Sequence, residues 1–165
     1  ILAIVGESGS GKTLVADYIE KTYGIPMVLS YTDRSQRYFG EKGHIFLTKR
    51  EFDQLHKEDM VAYTSWREKR YCCLHRDIQE ANTYVIDESG YNMLLKQEYL
   101  YDIRGLRMIR SKEQRIKDVG VERVARDKGM FDKFSLKYDY MIKNNGSKKE
   151  LFDRIDQIVE DFFYE

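Results

Sequence analysis

The sequence predicts an α/β fold of three layers, a mainly parallel sheet with helices on both sides, and three observations predict it. The chain has 165 residues, a one-domain length able to bury a single core. It opens on a short apolar run, Ile1–Val5, closed at once by glycine, which reads as a strand buried on both faces. Strand-like runs then alternate with helix-spaced segments, the pattern of parallel strands joined by helical crossovers.

Taken in order, the first helix runs from Lys12, where Leu14, Val15, Tyr18 and Ile19 fall at helical spacing. Met27–Ser30 reads as a second short strand. Tyr84–Asp87, Leu106–Ile109 and Tyr138–Ile142 read as later strands between helices. Three helix starts carry a hydroxyl residue followed three positions on by Glu or Gln: Thr48 with Glu51, Ser111 with Gln114, and Ser147 with Glu150. Such pairs satisfy two backbone N–H groups that a helix leaves free at its start. The last helix sets Leu151, Ile155, Ile158, Val159 and Phe162 on one stripe. Residues 31–76 break the rhythm. They are rich in Arg, Tyr and Glu and read as an insertion with its own short strands.

Lysine and arginine total 28, as do aspartate and glutamate. A balanced charge supplies no overall field to hold a polyanion, so small anionic ligands are expected rather than nucleic acid. The apolar runs are a few residues long, against the roughly 20 that cross a bilayer, so no membrane partner is expected. The opening residues carry no signal-peptide pattern. The two cysteines, Cys72 and Cys73, are adjacent, which suits a disulfide poorly and offers no second pair for zinc. Reduced thiols in a cytoplasmic protein are the expectation.

The strongest motif is Gly6-Glu7-Ser8-Gly9-Ser10-Gly11-Lys12-Thr13. It meets the G-x-x-x-x-G-K-[ST] pattern at every fixed position and lies between a predicted strand and helix. The glycines admit backbone conformations closed to other residues, so that successive N–H groups form a nest for anionic oxygens. The helix start adds its positive dipole end. Lys12 is placed to reach the β- and γ-phosphates of a nucleoside triphosphate, ATP in this reading, and the Thr13 hydroxyl to ligate Mg²⁺. The fold is therefore of the P-loop NTPase type. Asp87, at the end of Tyr84-Val85-Ile86, fits either a second partner for Mg²⁺ or a helix N-cap.

A second cluster follows: Ser30-Tyr31-Thr32-Asp33-Arg34-Ser35-Gln36-Arg37-Tyr38-Phe39-Gly40-Glu41, then Lys42-Gly43-His44-Ile45-Phe46. Arginine forks match phosphate oxygens well, so Arg34 and Arg37 are candidates for a second anion site. Here the chain resembles the guanylate kinase family, whose P-loop is followed by Ser-x-Thr-Thr-Arg-x-x-Arg-x-Gly-Glu and a Gly-x-x-Tyr-x-Phe element. Ser30, Thr32, Arg34, Arg37, Gly40, Glu41 and Phe46 fall at closely matching places. The resemblance continues through Phe52, Tyr71, Asp87–Gly90 and the Arg115–Arg126 stretch, and ends at Ile142-Lys143-Asn144-Asn145.

The resemblance implies a nucleoside monophosphate kinase that moves the γ-phosphoryl group of ATP to GMP or another (deoxy)nucleoside monophosphate. It implies a P-loop core of residues 1–30, 77–116 and 131–165, a small monophosphate-binding insertion at 31–76, and a short lid at 117–130. Arg34, Arg37 and Tyr71 would clamp the acceptor phosphate and Ser30 would face the base. Glu41 would hold metal-bound water or orient the arginine pair. Arg115, Arg123 and Arg126 would meet the charge on the transferring group, and Asn144 matches an asparagine near the adenine pocket. Trp66 either stacks on a base or anchors its loop. The chain departs from the family at several points. Asp33 replaces a threonine, and His44 stands for a phosphate-binding tyrosine. Ala62 falls where the family reads guanine with glutamate, and Cys72-Cys73 follows the tyrosine. These departures leave two rivals open: a P-loop kinase for another small molecule, and a catalytically weak nucleotide-binding module derived from such a kinase.

Overall fold

The computed structural model describes all 165 residues. Its strands are β1 (Leu2–Gly6), β2 (Ser30–Thr32), β3 (His44–Phe46), β4 (Met60–Trp66), β5 (Lys69–Leu74), β6 (Thr83–Ile86), β7 (Arg104–Ile109) and β8 (Tyr140–Lys143). Its helices are α1 (Lys12–Tyr23), α2 (Lys49–Asp53), α3 (Glu88–Leu94), α4 (Lys112–Val119), α5 (Val121–Arg126) and α6 (Lys148–Phe163). Three short 3₁₀ turns lie between them. No helix is long and apolar enough to cross a membrane.

Four strands form a parallel sheet in the order β6-β1-β7-β8. Strand β1 is buried along its whole length, as its unbroken apolar run requires. Because side chains alternate, Leu2 and Ile4 enter the core shared with α1 and α6, where Val15, Ile19 and Ile155 pack. Ile1, Ala3 and Val5 enter the core on the opposite face, with Tyr84, Tyr91 and Leu94. The predicted three layers follow: helices α1 and α6 on one face, and α3 with the second sheet on the other.

The strand expected at Met27–Ser30 does not form as a strand of this sheet. Pro26 has no N–H to donate, and its carbonyl accepts from Thr83 N at 3.1 Å. Val28 N donates to the Thr83 carbonyl at 2.8 Å. The pairing stops at one bridge, Met27 with Thr83. At Ser30 the chain turns into a second sheet, of order β3-β2-β5-β4. This sheet lies within residues 30–74, almost wholly in the segment that broke the sequence rhythm. Its β4–β5 hairpin turns on Arg67 and Glu68, both at positive φ (45° and 61°), the twist that two-residue hairpins favour. The register shifts between Val61 and Thr64, and Ala62 sits in this bulge at φ 55°.

All three predicted helix starts occur. Thr48 and Ser147 form reciprocal capping boxes with Glu51 and Glu150. Ser111 accepts from Gln114 N, but the Gln114 amide turns to the Asn145 carbonyl instead of the cap. Both cysteines are buried and unpaired, and burial pushes each thiol up to about 12.

Candidate active site

The glycine-rich loop links β1 to α1. Gly9 and Gly11 take φ of 79° and 101°, and a Cβ on Gly11 would stand 2.6 Å from Asn144 Nδ2. The space is closed because Asn144 Nδ2 donates to the Ser10 carbonyl at 3.0 Å. Asn144, expected beside the nucleotide, thus braces the loop from outside the cavity. Lys12 Nζ donates to the Glu7 carbonyl at 3.0 Å. Burial lowers its pKa to about 8, with the Asp127 carboxylate working in the opposite direction.

A cavity of about 500 Å³ extends from this loop. Lys12 and Thr13 line it, and so do Arg37, His44 and Tyr71. Arg123 and Arg126 line it as well. Residues from three separate stretches of the chain therefore converge on one space.

Arg34 does not line that space. Its guanidinium is buried and gripped by Glu41 through two bonds, Nη1 to Oε2 at 3.0 Å and Nη2 to Oε1 at 2.5 Å. It also stacks 5.1 Å from the Phe46 ring. Glu41 accepts from Arg37 N at 2.9 Å as well. Burial opposes the charge on Glu41, but the bonds from Arg34 and Arg37 prevail and lower its pKa to about 2. Of its two expected roles, Glu41 here makes the contacts of the one that orients the arginine pair. Arg34, expected as a direct clamp, instead shapes the loop that presents Arg37. His44 lines the cavity, and burial, then the nearby Arg34 charge, lowers its pKa to about 4. It is neutral at pH 7. Asp33 accounts for its own departure: it binds Arg70 N at 2.8 Å and Nε at 2.7 Å, tying the end of β2 to β5.

Ser30 and the Tyr84 hydroxyl share a hydrogen bond of 3.0 Å at the cavity wall. Ala62 and Thr64 line it from β4, which contributes no carboxylate there.

Of the three arginines expected to meet the transferring charge, Arg123 and Arg126 face the cavity and Arg115 does not. Arg115 is buried behind the loop, 3.3 Å from the Glu7 carboxylate and 3.4 Å from the Ser8 carbonyl. It supports the loop from the rear, because α4 packs against it there. Arg126 Nη2 reaches Ser8 Oγ at 3.4 Å, and its guanidinium lies 5.9 Å from the Trp66 ring, which also lines the cavity.

Two carboxylates that matter had no motif to announce them. Glu88 is buried and accepts from the N–H groups of Asp132, Lys133 and Phe134 at 2.8, 2.9 and 3.1 Å. It pins the segment after α5 to the start of α3. Asp127, at the end of α5, accepts from Ser8 N at 2.6 Å. Their partners lie 44 or more residues away, so only tertiary structure reveals them.

No group of three or more acidic, histidine or cysteine side chains is arranged to hold a metal. Thr13 and Asp87 both line the cavity near Lys12. Asp87 caps α3 with Oδ1 on Gly90 N at 2.7 Å, which leaves its second oxygen free. Burial raises its pKa, against the pull of that bond and of Lys12. One hydroxyl and one carboxylate suit Mg²⁺ carried in on phosphate oxygens and water, which needs no protein cage.

Fold and cavity together define a P-loop α/β domain with a guanylate kinase-like arrangement. A guanylate kinase from Anaplasma phagocytophilum superposes with a TM-score of 0.73 over 100% of this chain and 86% of that one, at 19% sequence identity. An uncharacterized protein from Eubacterium ventriosum ATCC 27560 gives a TM-score of 0.47 at 15% identity, over 99% of this chain and 98% of that one. No protein-family model and no curated protein sequence matches the chain. The likeness to the guanylate kinase establishes the fold.

Proposed function

We propose that this chain is an ATP-dependent nucleoside monophosphate kinase of guanylate kinase type. The observation that carries the reading is the shared cavity, lined by Lys12 and Thr13 of the loop and also by Arg37, His44 and Tyr71. Fold alone does not assign chemistry, so the argument rests on this convergence. Phosphoryl transfer between two nucleotides needs two polyanions held in line and their repulsion neutralised, with no covalent intermediate.

In this reading the loop amides and Lys12 hold the ATP phosphates. Thr13 and Asp87 would hold Mg²⁺, which would supply charge neutralisation on the phosphates. Arg37 and Tyr71 bind the acceptor phosphate, with neutral His44 as a hydrogen-bonding neighbour. The Arg34–Glu41 pair fixes the loop that carries Arg37. Arg123 and Arg126 meet the charge on the transferring group. Ser30, Tyr84, Ala62 and Thr64 form the wall that faces the base, and the acceptor class is a nucleoside or deoxynucleoside monophosphate.

The test is ADP release from ATP and Mg²⁺ with each monophosphate in turn. Turnover with one or more of them is the expected result; turnover with none overturns the reading. Lys12→Met should remove about 3–4 kcal/mol of transition-state stabilisation, a loss of roughly 10²–10³ in kcat, by analogy with a lost oxyanion donor. Arg37→Glu should raise the acceptor KM and leave the ATP affinity nearly unchanged. Loss of ATP affinity in Arg37→Glu would place that residue in the wrong subsite.

A further inference from the structure

The carboxylate of Asp127 lies on the phosphate loop itself. Its Oδ2 accepts from Ser8 N at 2.6 Å, across 119 residues of chain. Ser8 belongs to the nest of N–H groups whose chemistry is to hold anionic oxygens. Asp127 is 5% exposed and lines the same cavity as Lys12 and Asp87. Its charge acts on both of those residues. It is not adrift there. Arg126 beside it reaches Ser8 Oγ, and three N–H bonds to Glu88 hold the chain that follows. A fixed negative charge thus occupies a donor that the loop otherwise offers to phosphate.

We infer that Asp127 is an internal anion that competes with the nucleotide's phosphate for the Ser8 amide, so that nucleotide entry must displace it. The inference rests on the loop being the ATP site. Displacement breaks the shorter of the two bonds that tie the end of α5 to the loop and leaves the longer Arg126–Ser8 Oγ contact, so binding the nucleotide also loosens that segment to rearrange over it. Asp127 therefore sets a ceiling on ATP affinity and links loop occupancy to the position of Arg123 and Arg126. A phosphate oxygen can replace the carboxylate because both are anionic acceptors and the amide donates to either.

Titration calorimetry on the whole chain tests this with ATP in EDTA and with MgATP, for the wild type, Asp127→Asn and Asp127→Ala. Both variants should bind both ATP forms more tightly, by roughly tenfold, the equivalent of one charge-assisted hydrogen bond no longer opposed. Hydrogen exchange of the Ser8 amide in the nucleotide-free protein should be slow in the wild type and faster in Asp127→Ala. If the alanine variant melts out, the isosteric asparagine variant carries the measurement. Equal affinities in all three proteins overturn the inference and leave the loop reading intact. A loss confined to MgATP makes Asp127 a partner of the metal and also overturns it. Absence of binding to any of the three ends the loop reading, and the inference with it.

Discussion

At the scale of single residues, Arg34 and Arg37 look alike in the sequence and do different work. Arg37 faces the cavity, whereas Arg34 is sealed against Glu41 and Phe46. A buried guanidinium is tolerable only with its charge matched, and Glu41, itself 5% exposed at the side chain, matches it with two bonds. Glu41→Gln should therefore cost about 3 kcal/mol or more of folding stability, because it strands a buried cation. Chemical denaturation measures this directly. A double variant, Arg34→Met with Glu41→Gln, should recover part of the loss, since it removes the stranded charge. A single variant as stable as the wild type would mean the pair is open to water in solution.

At the scale of elements, local signals were legible and long-range ones were not. A capping box is written within four consecutive residues, and all three predicted starts are real. Their strength differs for a reason sequence does not carry. Ser147 holds both halves of its box, whereas Ser111 holds one bond of 3.4 Å because Asn145 draws Gln114 away. Ser147→Ala should cost about 1 kcal/mol, and Ser111→Ala measurably less. Equal losses, read from denaturant midpoints, would show that the reciprocal bond contributes nothing. The strand misplaced at Met27–Ser30 has the same lesson in reverse. Its residue types suit a strand, but Pro26 and the departure of Ser30 into the second sheet decide the outcome. Ala62 likewise gave no hint of its bulge, because a two-against-one register belongs to the pair β4–β5 and not to either strand.

At the scale of the whole molecule, the motif marks the loop and the arginine pair marks a second basic cluster, but the cavity that Lys12 and Arg37 both line depends on two sheets meeting. Glu88 and Asp127 were invisible for the same reason: each acts on backbone far along the chain. The assembled Arg34–Glu41–His44 cluster has a property none of its parts shows alone, a double acid sensitivity. His44, with a pKa lowered to about 4 by burial, takes up its proton in the folded state later than in the unfolded chain, where 6.5 is the ordinary value. Between pH 6.5 and about 4 the unfolded state therefore binds more protons, and folding stability falls as pH falls. Glu41, held at about 2 against an ordinary 4.5, extends the loss over the next window by the same sign. Stability measured by denaturant from pH 7 to pH 3 should decline in these two steps. His44→Gln should flatten the first and keep the second, because Glu41 remains paired. A first step unchanged in that variant would show that another group titrates there and that His44 is solvated in the folded protein.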